Sequence, residues 1–221
     1  MTTLEEQRRH ASAASGGRSS GPIYGLFLRT LQELGLSGRV LDFGAGRGAL
    51  TRELTMFDEV VSTDLMDRPE DVHTTWHAQD LNAPTTFDDQ SFDVIVSAEV
   101  IEHLENPRAV AREWFRLLRP GGTVLFSTPN NESLRALVSL FFRGHFVEFR
   151  DSAYPAHITA LVRTDMQRIC LEAGFEAPTF RYTDHGAVPG LVRYRWQRLS
   201  GGLLRGRRFS DNVMAIARRP S

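Results

Sequence analysis

Apolar positions along this chain keep two alternating rhythms. Residues 22–36, PIYGLFLRTLQELGL, are apolar at helical spacing and end at glycine, which predicts a first helix. RVLDFG is a short apolar run closing on glycine and predicts a buried strand. ALTRELTMF predicts the helix after it, EVVSTD a second strand ending at Asp64, and HTTWHAQDL a weaker third strand ending near Asp80. FDVIVSAE predicts a fourth strand, PRAVAREWFRLLRPGG a helix closed by its glycine pair, and TVLFSTPN a fifth strand. Strands alternating with helices predict a parallel sheet covered on both faces. Beyond residue 130 the rhythm loosens. ESLRALVSLFFRGHF predicts a helical insertion, RTDMQRICLEAGF a helix with Thr164 as its N-cap, and TFRYT and NVMAIARR the final strands.

The 221 residues suit one domain, set at 21–221, with a helical lid insertion about 131–160 and a basic insertion about 185–210. Residues 1–20 are rich in Ser, Gly and Ala and predict a disordered tail; they lack the apolar centre of a secretory signal. The longest apolar run, ALVSLFF at 136–142, is too short to cross a bilayer, so a cytoplasmic location is expected. The single cysteine, Cys170, excludes an internal disulfide and sits in a helical pattern as a small buried apolar residue.

The net charge of −1 conceals an asymmetry. Residues 1–134 hold 12 Arg and 20 acidic residues, a balance of −8; residues 135–221 hold 14 Arg and 7 acidic residues, a balance of +7. All 26 basic residues are Arg, which points to codon usage rather than function. VRYRWQRLSGGLLRGRRF sets Arg193, Arg195, Arg198, Arg205, Arg207 and Arg208 beside Tyr194 and Trp196. A solvated arginine-rich face is the plain reading. A phosphorylated acceptor, peripheral contact with an anionic membrane, or a partner surface are the functional ones.

The chemistry begins at VLDFGAGRG, residues 40–48. Gly44, Gly46 and Ala49 fit the pattern G-x-G-x-x-G/A. Asp64, ending the second strand, is placed to hold two ribose hydroxyls, a need shared by NAD and by S-adenosylmethionine. Asp80 could accept from an adenine amino group while Leu81 covers the ring. With SAEVIEHL and LLRPGG following, residues 38–130, and more loosely 155–184, resemble the class I S-adenosylmethionine-dependent methyltransferases. That resemblance implies a Rossmann-like α/β fold with seven mostly parallel strands, the last antiparallel, and helices on both faces. It also implies cofactor contacts from Asp42, Gly44, Ala45, Gly46, Asp64, Leu65, Asp80, Leu81 and Ala98, and in-line displacement at a sulfonium methyl group.

EVIEH places Glu99, Glu102 and His103 at i, i+3 and i+4, so all three point one way if the segment is a helical turn. Three readings compete: His103 as general base for a hydroxyl, a Mg or Mn site completed by His157, and a structural brace for the next helix. The segment resembles the ubiquinone-biosynthesis O-methyltransferases, which carry a similar E-x-x-E-H followed by a distal histidine. That makes His103 and His157 the catalytic candidates. It also resembles the small-RNA terminal 2′-O-methyltransferases, which bind a metal through two glutamates and two histidines. Here no second acidic or aromatic block follows His157 and no aromatic-interleaved basic platform exists, which argues against a nucleic-acid acceptor. Phe141, Phe142, Phe146 and Phe149 could line or close an acceptor pocket. The expected function is O-methylation of a small-molecule, glycan or lipid-precursor hydroxyl. The rivals are a metal-assisted methyltransferase, an NAD-dependent oxidoreductase and a non-catalytic S-adenosylmethionine-binding module.

Overall fold

The computed structural model describes residues 3–221; the first two residues of the expected tail lie outside the described residues. The buried apolar runs become the middle of a seven-stranded sheet. Its strands are β1 (Arg39–Phe43), β2 (Glu59–Asp64), β3 (Thr75–Ala78), β4 (Phe92–Ala98), β5 (Leu118–Pro129), β6 (Thr179–Tyr182) and β9 (Asn212–Arg218), in the order β3-β2-β1-β4-β5-β9-β6. β1 to β5 pair in parallel, and β9 runs antiparallel to both β5 and β6. The order reverses between β1 and β4, so the carboxyl ends of those two strands diverge into a crevice. β7 (Ala187–Val188) and β8 (Leu191–Arg195) form a separate hairpin.

Helices cover both faces. α3 (Pro107–Leu117) and α5 (Arg163–Ala173) pack together over one core. α2 (Gly21–Glu33) seals the other with Ile23, Phe27 and Leu31. α4 (Leu134–Arg143) starts on Ser133, whose hydroxyl accepts from Ala136 N–H, and stops at Gly144 in the left-handed conformation. The short α6 (Trp196–Leu199) follows β8. Among the described residues no helix is long and apolar enough to cross a membrane.

Several local expectations are corrected. Residues Leu4–Ser15 of the supposed tail form helix α1. Its start is a reciprocal cap: Thr3 N–H donates to Glu6 Oε2 and Glu6 N–H to Thr3 Oγ1. The helix expected over ALTRELTMF shrinks to one 3-10 turn, Thr51–Glu53. There the Thr51 hydroxyl is drawn to Asp42 at 2.6 Å, and the Arg52 guanidinium takes the carbonyls of Arg47 and Gly48. β3 ends at Ala78, and Asp80 lies in the turn beyond it. Val162, not Thr164, is the N-cap residue of α5, and its N–H donates to the Asp165 carboxylate. α3 stops at Leu117, short of the glycine pair, which lies within β5.

Cys170 is fully buried on α5, and burial pushes its thiol up to about 12. Trp114 of α3 is the largest buried side chain, its ring edge-on to Phe43 at 5.8 Å and 4.9 Å from Phe126. Trp114→Ala should therefore cost about 3–5 kcal/mol in urea denaturation. Its indole N–H has no partner, so Trp114→Phe should cost far less. Equal losses for the two would show that the ring volume is not what stabilises this core.

Candidate functional site

Between β1 and the Thr51 turn the backbone folds on itself at Gly44, Ala45 and Gly46. Gly44 N–H and Ala45 N–H both donate to Thr63 carbonyl, Gly46 N–H to Asp64 Oδ2 at 2.7 Å, and Arg47 N–H to Gly17 carbonyl at 2.9 Å. A Cβ on Gly46 would lie 2.5 Å from that carbonyl, and Gly46 has φ +54°. What approaches the turn most closely is thus the chain's own strap after α1. Every N–H from 44 to 47 is used inside the protein.

A cleft of about 640 Å³ opens along this turn. All nine residues expected to hold a cofactor line it, from Asp42 and the glycine turn to Ala98. Asp64 receives Met66 N–H on Oδ1 and Gly46 N–H on Oδ2, which leaves each oxygen a lone pair for a hydroxyl donor. Burial raises its carboxyl above the ordinary range, opposed by those N–H bonds. Asp42, deeper, is pushed up by burial to about 7. Asp80 is less free than expected. Its Oδ1 accepts from Asn82, and its Oδ2 from Arg8 of α1 at 2.6 Å. Arg8 also grips Glu105 through Nε and Nη2. Arg8, Gly17 and Ser19 are thus cleft residues that lay in the expected tail. The T-x-x-E cap at Thr3–Glu6 was the overlooked sign of order there.

The EVIEH segment divides. Glu99 ends β4 with φ +57° and sends its carboxylate to Ser127 Oγ and Asn212 Nδ2. It lines the cleft and feels the charge of Glu102, but it stands outside the group of ligand atoms that Glu102 and His103 form. Those two lie on the 3-10 turn Ile101–His103, and with His157 each offers one ligand atom within 4.8 Å of the others. His103 Nδ1 donates to Ala156 carbonyl at 2.7 Å and His157 Nδ1 to Glu148 carbonyl at 2.6 Å, because a carbonyl can only accept. Each ring keeps its Nε2 lone pair. Burial lowers both imidazoles below their ordinary value. Neither oxygen of the buried Glu102 carboxylate has a hydrogen-bond partner, and burial pushes it up to about 8. Two imidazole Nε2 acceptors thus converge on a carboxyl group that burial keeps largely protonated near neutral pH.

The lid reading changes as well. None of the four phenylalanines lines the cleft. Phe141 and Phe142 stack edge-on and are 82% and 76% exposed, while Phe149 backs His157 at 5.5 Å. Tyr154, Pro155, Ile158 and Val192 take that place. Part of the basic insertion is structural: Glu132 carboxylate pairs with Arg163 and Arg207, and its carbonyl accepts from Arg208.

Residues 18–178 match the family described as a methyltransferase domain. The chain belongs to that family. This methyltransferase domain is 25% identical over 157 residues to a ubiquinone biosynthesis O-methyltransferase of Psychrobacter arcticus, covering 65% of the chain and 61% of that protein. With the one from Nitrosococcus oceani it shares 38% over 104 residues, 42% of the chain and 44% of that protein. The chain thus spans less than two thirds of these relatives. By fold it resembles a possible histamine N-methyltransferase of Thermotoga maritima, with TM-score 0.64, 15% identity and coverage of 89% and 88%. It also resembles the N-methyltransferase NodS of Bradyrhizobium japonicum, solved with S-adenosylhomocysteine, with TM-score 0.55, 20% identity and coverage of 90% and 86%.

The methyltransferase turn suits a sulfonium nucleoside better than a dinucleotide. A pyrophosphate needs free N–H groups at a helix N-terminus. Here those groups are engaged and no α-helix begins. Buried carboxylates instead favour a cation.

Gly46→Ala should lower stability by about 1–3 kcal/mol and loosen the strap. Faster tryptic cleavage at Arg8, Arg9 or Arg18 would report it; an unchanged cleavage rate and midpoint would refute the close approach. The Glu102 proton gives a second expectation for metal-free protein. Its carboxyl ionises at the ordinary 4.5 in the unfolded chain and at about 8 when folded. Between those values the native state holds a proton that the unfolded chain has released, so stability falls as pH rises. Glu102→Gln should lessen that fall in denaturation midpoints from about pH 5 to pH 8, Glu99, also pushed up by burial and by Glu102, supplying the remainder; a fall unchanged in Glu102→Gln and abolished in Glu99→Gln would assign the proton to Glu99 instead.

Proposed function

We propose that this chain transfers the methyl group of S-adenosylmethionine to a hydroxyl oxygen of a small-molecule, glycan or lipid-precursor acceptor. The observation that carries the reading is the convergence of the buried Glu102 carboxyl with the His103 and His157 rings, each keeping an Nε2 lone pair, in the cleft that runs past the glycine turn. Such a cluster calls for a proton-bearing or cationic visitor. The bound cofactor supplies an electrophilic methyl group already activated by positive charge.

The protein's tasks are then to hold, to exclude water and to take a proton. Asp64 holds the ribose hydroxyls and Asp42 sits beneath the turn. The cofactor would supply the methyl group to the acceptor oxygen, and His103 Nε2 would take the hydroxyl proton. Ala156 carbonyl on Nδ1 keeps that tautomer in place and stabilises the imidazolium that forms. Burial keeps the ring neutral, and hence basic, near pH 7.

A second reading has a specific observation behind it. Two histidines oriented by carbonyls beside a buried carboxyl without a hydrogen-bond partner are a donor set with outer support that suits a transition-metal divalent ion such as Mn better than Mg, which favours oxygen ligands. Glu102, His103 and His157 would hold the ion, which would make the acceptor hydroxyl more acidic.

Calorimetry comes first: S-adenosylhomocysteine should bind and NAD should not, and tighter NAD binding would overturn the reading. His103→Ala should lower the turnover of radiolabelled S-adenosylmethionine by about a hundredfold or more while the homocysteine nucleoside still binds. Full turnover in that variant would remove His103 as base, and nucleoside binding with no transfer to any hydroxyl acceptor would leave only a binding module. Chelation should abolish turnover if the cation operates and leave it unchanged if His103 alone suffices.

A further inference from the structure

Beyond His157 the cleft contains a charged cluster that neither methyl transfer nor proton removal employs. Arg135 of α4 and Arg195 at the end of β8 both direct Nη1 at one oxygen, Asp211 Oδ2, at 3.5 and 3.3 Å. The same oxygen accepts from Ala187 N–H at 3.0 Å. Arg135 Nη1 also meets Glu148 Oε1 at 3.4 Å. Charge-assisted N–H···O bonds normally close to about 2.7–2.9 Å, so neither guanidinium is saturated. Among the described residues, Nε and Nη2 of both arginines make no hydrogen bond. Both side chains line the cleft, with His185 beside them, kept neutral by burial and by Arg195.

The cluster adjoins the reacting end. The Glu148 carbonyl orients His157, and Asn212, next to Asp211, holds Glu99. A molecule whose hydroxyl reached His103 could therefore present a second group here. Two planar forks brought from separate elements to one point match the oxygens of an anion. Asp211 and Glu148 balance the arginine charges and keep the forks in position while leaving most of their donors unused.

We propose that Arg135 and Arg195 form a clamp for an anionic group, a carboxylate or a phosphate, on the methyl acceptor. The proposal rests on reading the cleft as a methyl-transfer site. It gives the acceptor a polarity: the nucleophilic hydroxyl at the histidines, the acid at the arginines.

The test is calorimetric and needs no knowledge of the acceptor. Benzoate is titrated against its uncharged amide, and phenyl phosphate against phenol, with and without S-adenosylhomocysteine. At least one acid should bind about tenfold tighter than its neutral counterpart, and the tighter of the two names the anion. Arg135→Gln and Arg195→Gln should each erase that preference. Arg135→Lys and Arg195→Lys, which keep the charge but lose the fork, should retain only part of it and serve if a glutamine variant fails to fold. Equal binding of acid and neutral compound, binding of neither, or a preference that survives both substitutions would overturn the clamp. Absence of heat from S-adenosylhomocysteine would instead strike the cofactor reading, and the anion titrations would still decide the clamp.

Discussion

The cleft depends on one tight junction, where Asp64 and Gly17 close on the turn at Gly46. Asp64 brings the end of β2 to the Gly46 N–H, and Gly17 brings the strap after α1 to the Arg47 N–H. The Gly17 carbonyl leaves no room for a side chain on Gly46. Because these two bonds, with the two to the Thr63 carbonyl, consume the turn's donors, this end of the cleft presents carboxylates rather than amides. The ligand chemistry follows from that choice. A surface of buried acids repels phosphate and rewards positive charge, which a sulfonium and an amino group both carry.

The same economy of donors recurs at the other end. Glu102 is buried without a partner, and the two histidines spend their only N–H on backbone carbonyls. A fold that merely sought stability would not bury a carboxyl group without a hydrogen-bond partner, since even its neutral form loses its bonds to water. The segment after α4 is what brings His157 to it: Glu102 carbonyl accepts from Ile158 N–H and Thr159 N–H, which pins that segment over the turn holding His103. Proton acceptors and the loop that shields them are thus joined by the backbone of one residue.

Charge is likewise arranged locally. Part of the excess of arginine in the last 87 residues is taken up by acidic partners. Arg163, Arg207 and Arg208 converge on Glu132, while Arg135 and Arg195 share Asp211 within the cleft. The counter-ion for each group lies far away in sequence, and only folding selects which arginines are consumed by it.

By itself, the sequence determined what repeats locally or declares itself in a contiguous motif. Apolar periodicity specified the strand–helix alternation and the parallel sheet, because side-chain burial follows the period of the backbone. The run at 40–48 and the acid at 64 marked a nucleoside cleft, because a strand end and a glycine turn leave few other uses for such residues. Tertiary structure alone decided the rest. It docked α1, whose T-x-x-E cap is local, against the cleft, since Arg8 finds Asp80 and Glu105 only when remote turns converge. It shortened the helix after the glycine turn, since Thr51 prefers the Asp42 carboxylate to a further turn of helix. It turned the Glu99 carboxyl onto Ser127 and Asn212 at one left-handed residue. These outcomes depend on which distant partner a polar group meets, and hydrogen-bond partners, unlike hydrophobic period, leave no trace along a single chain.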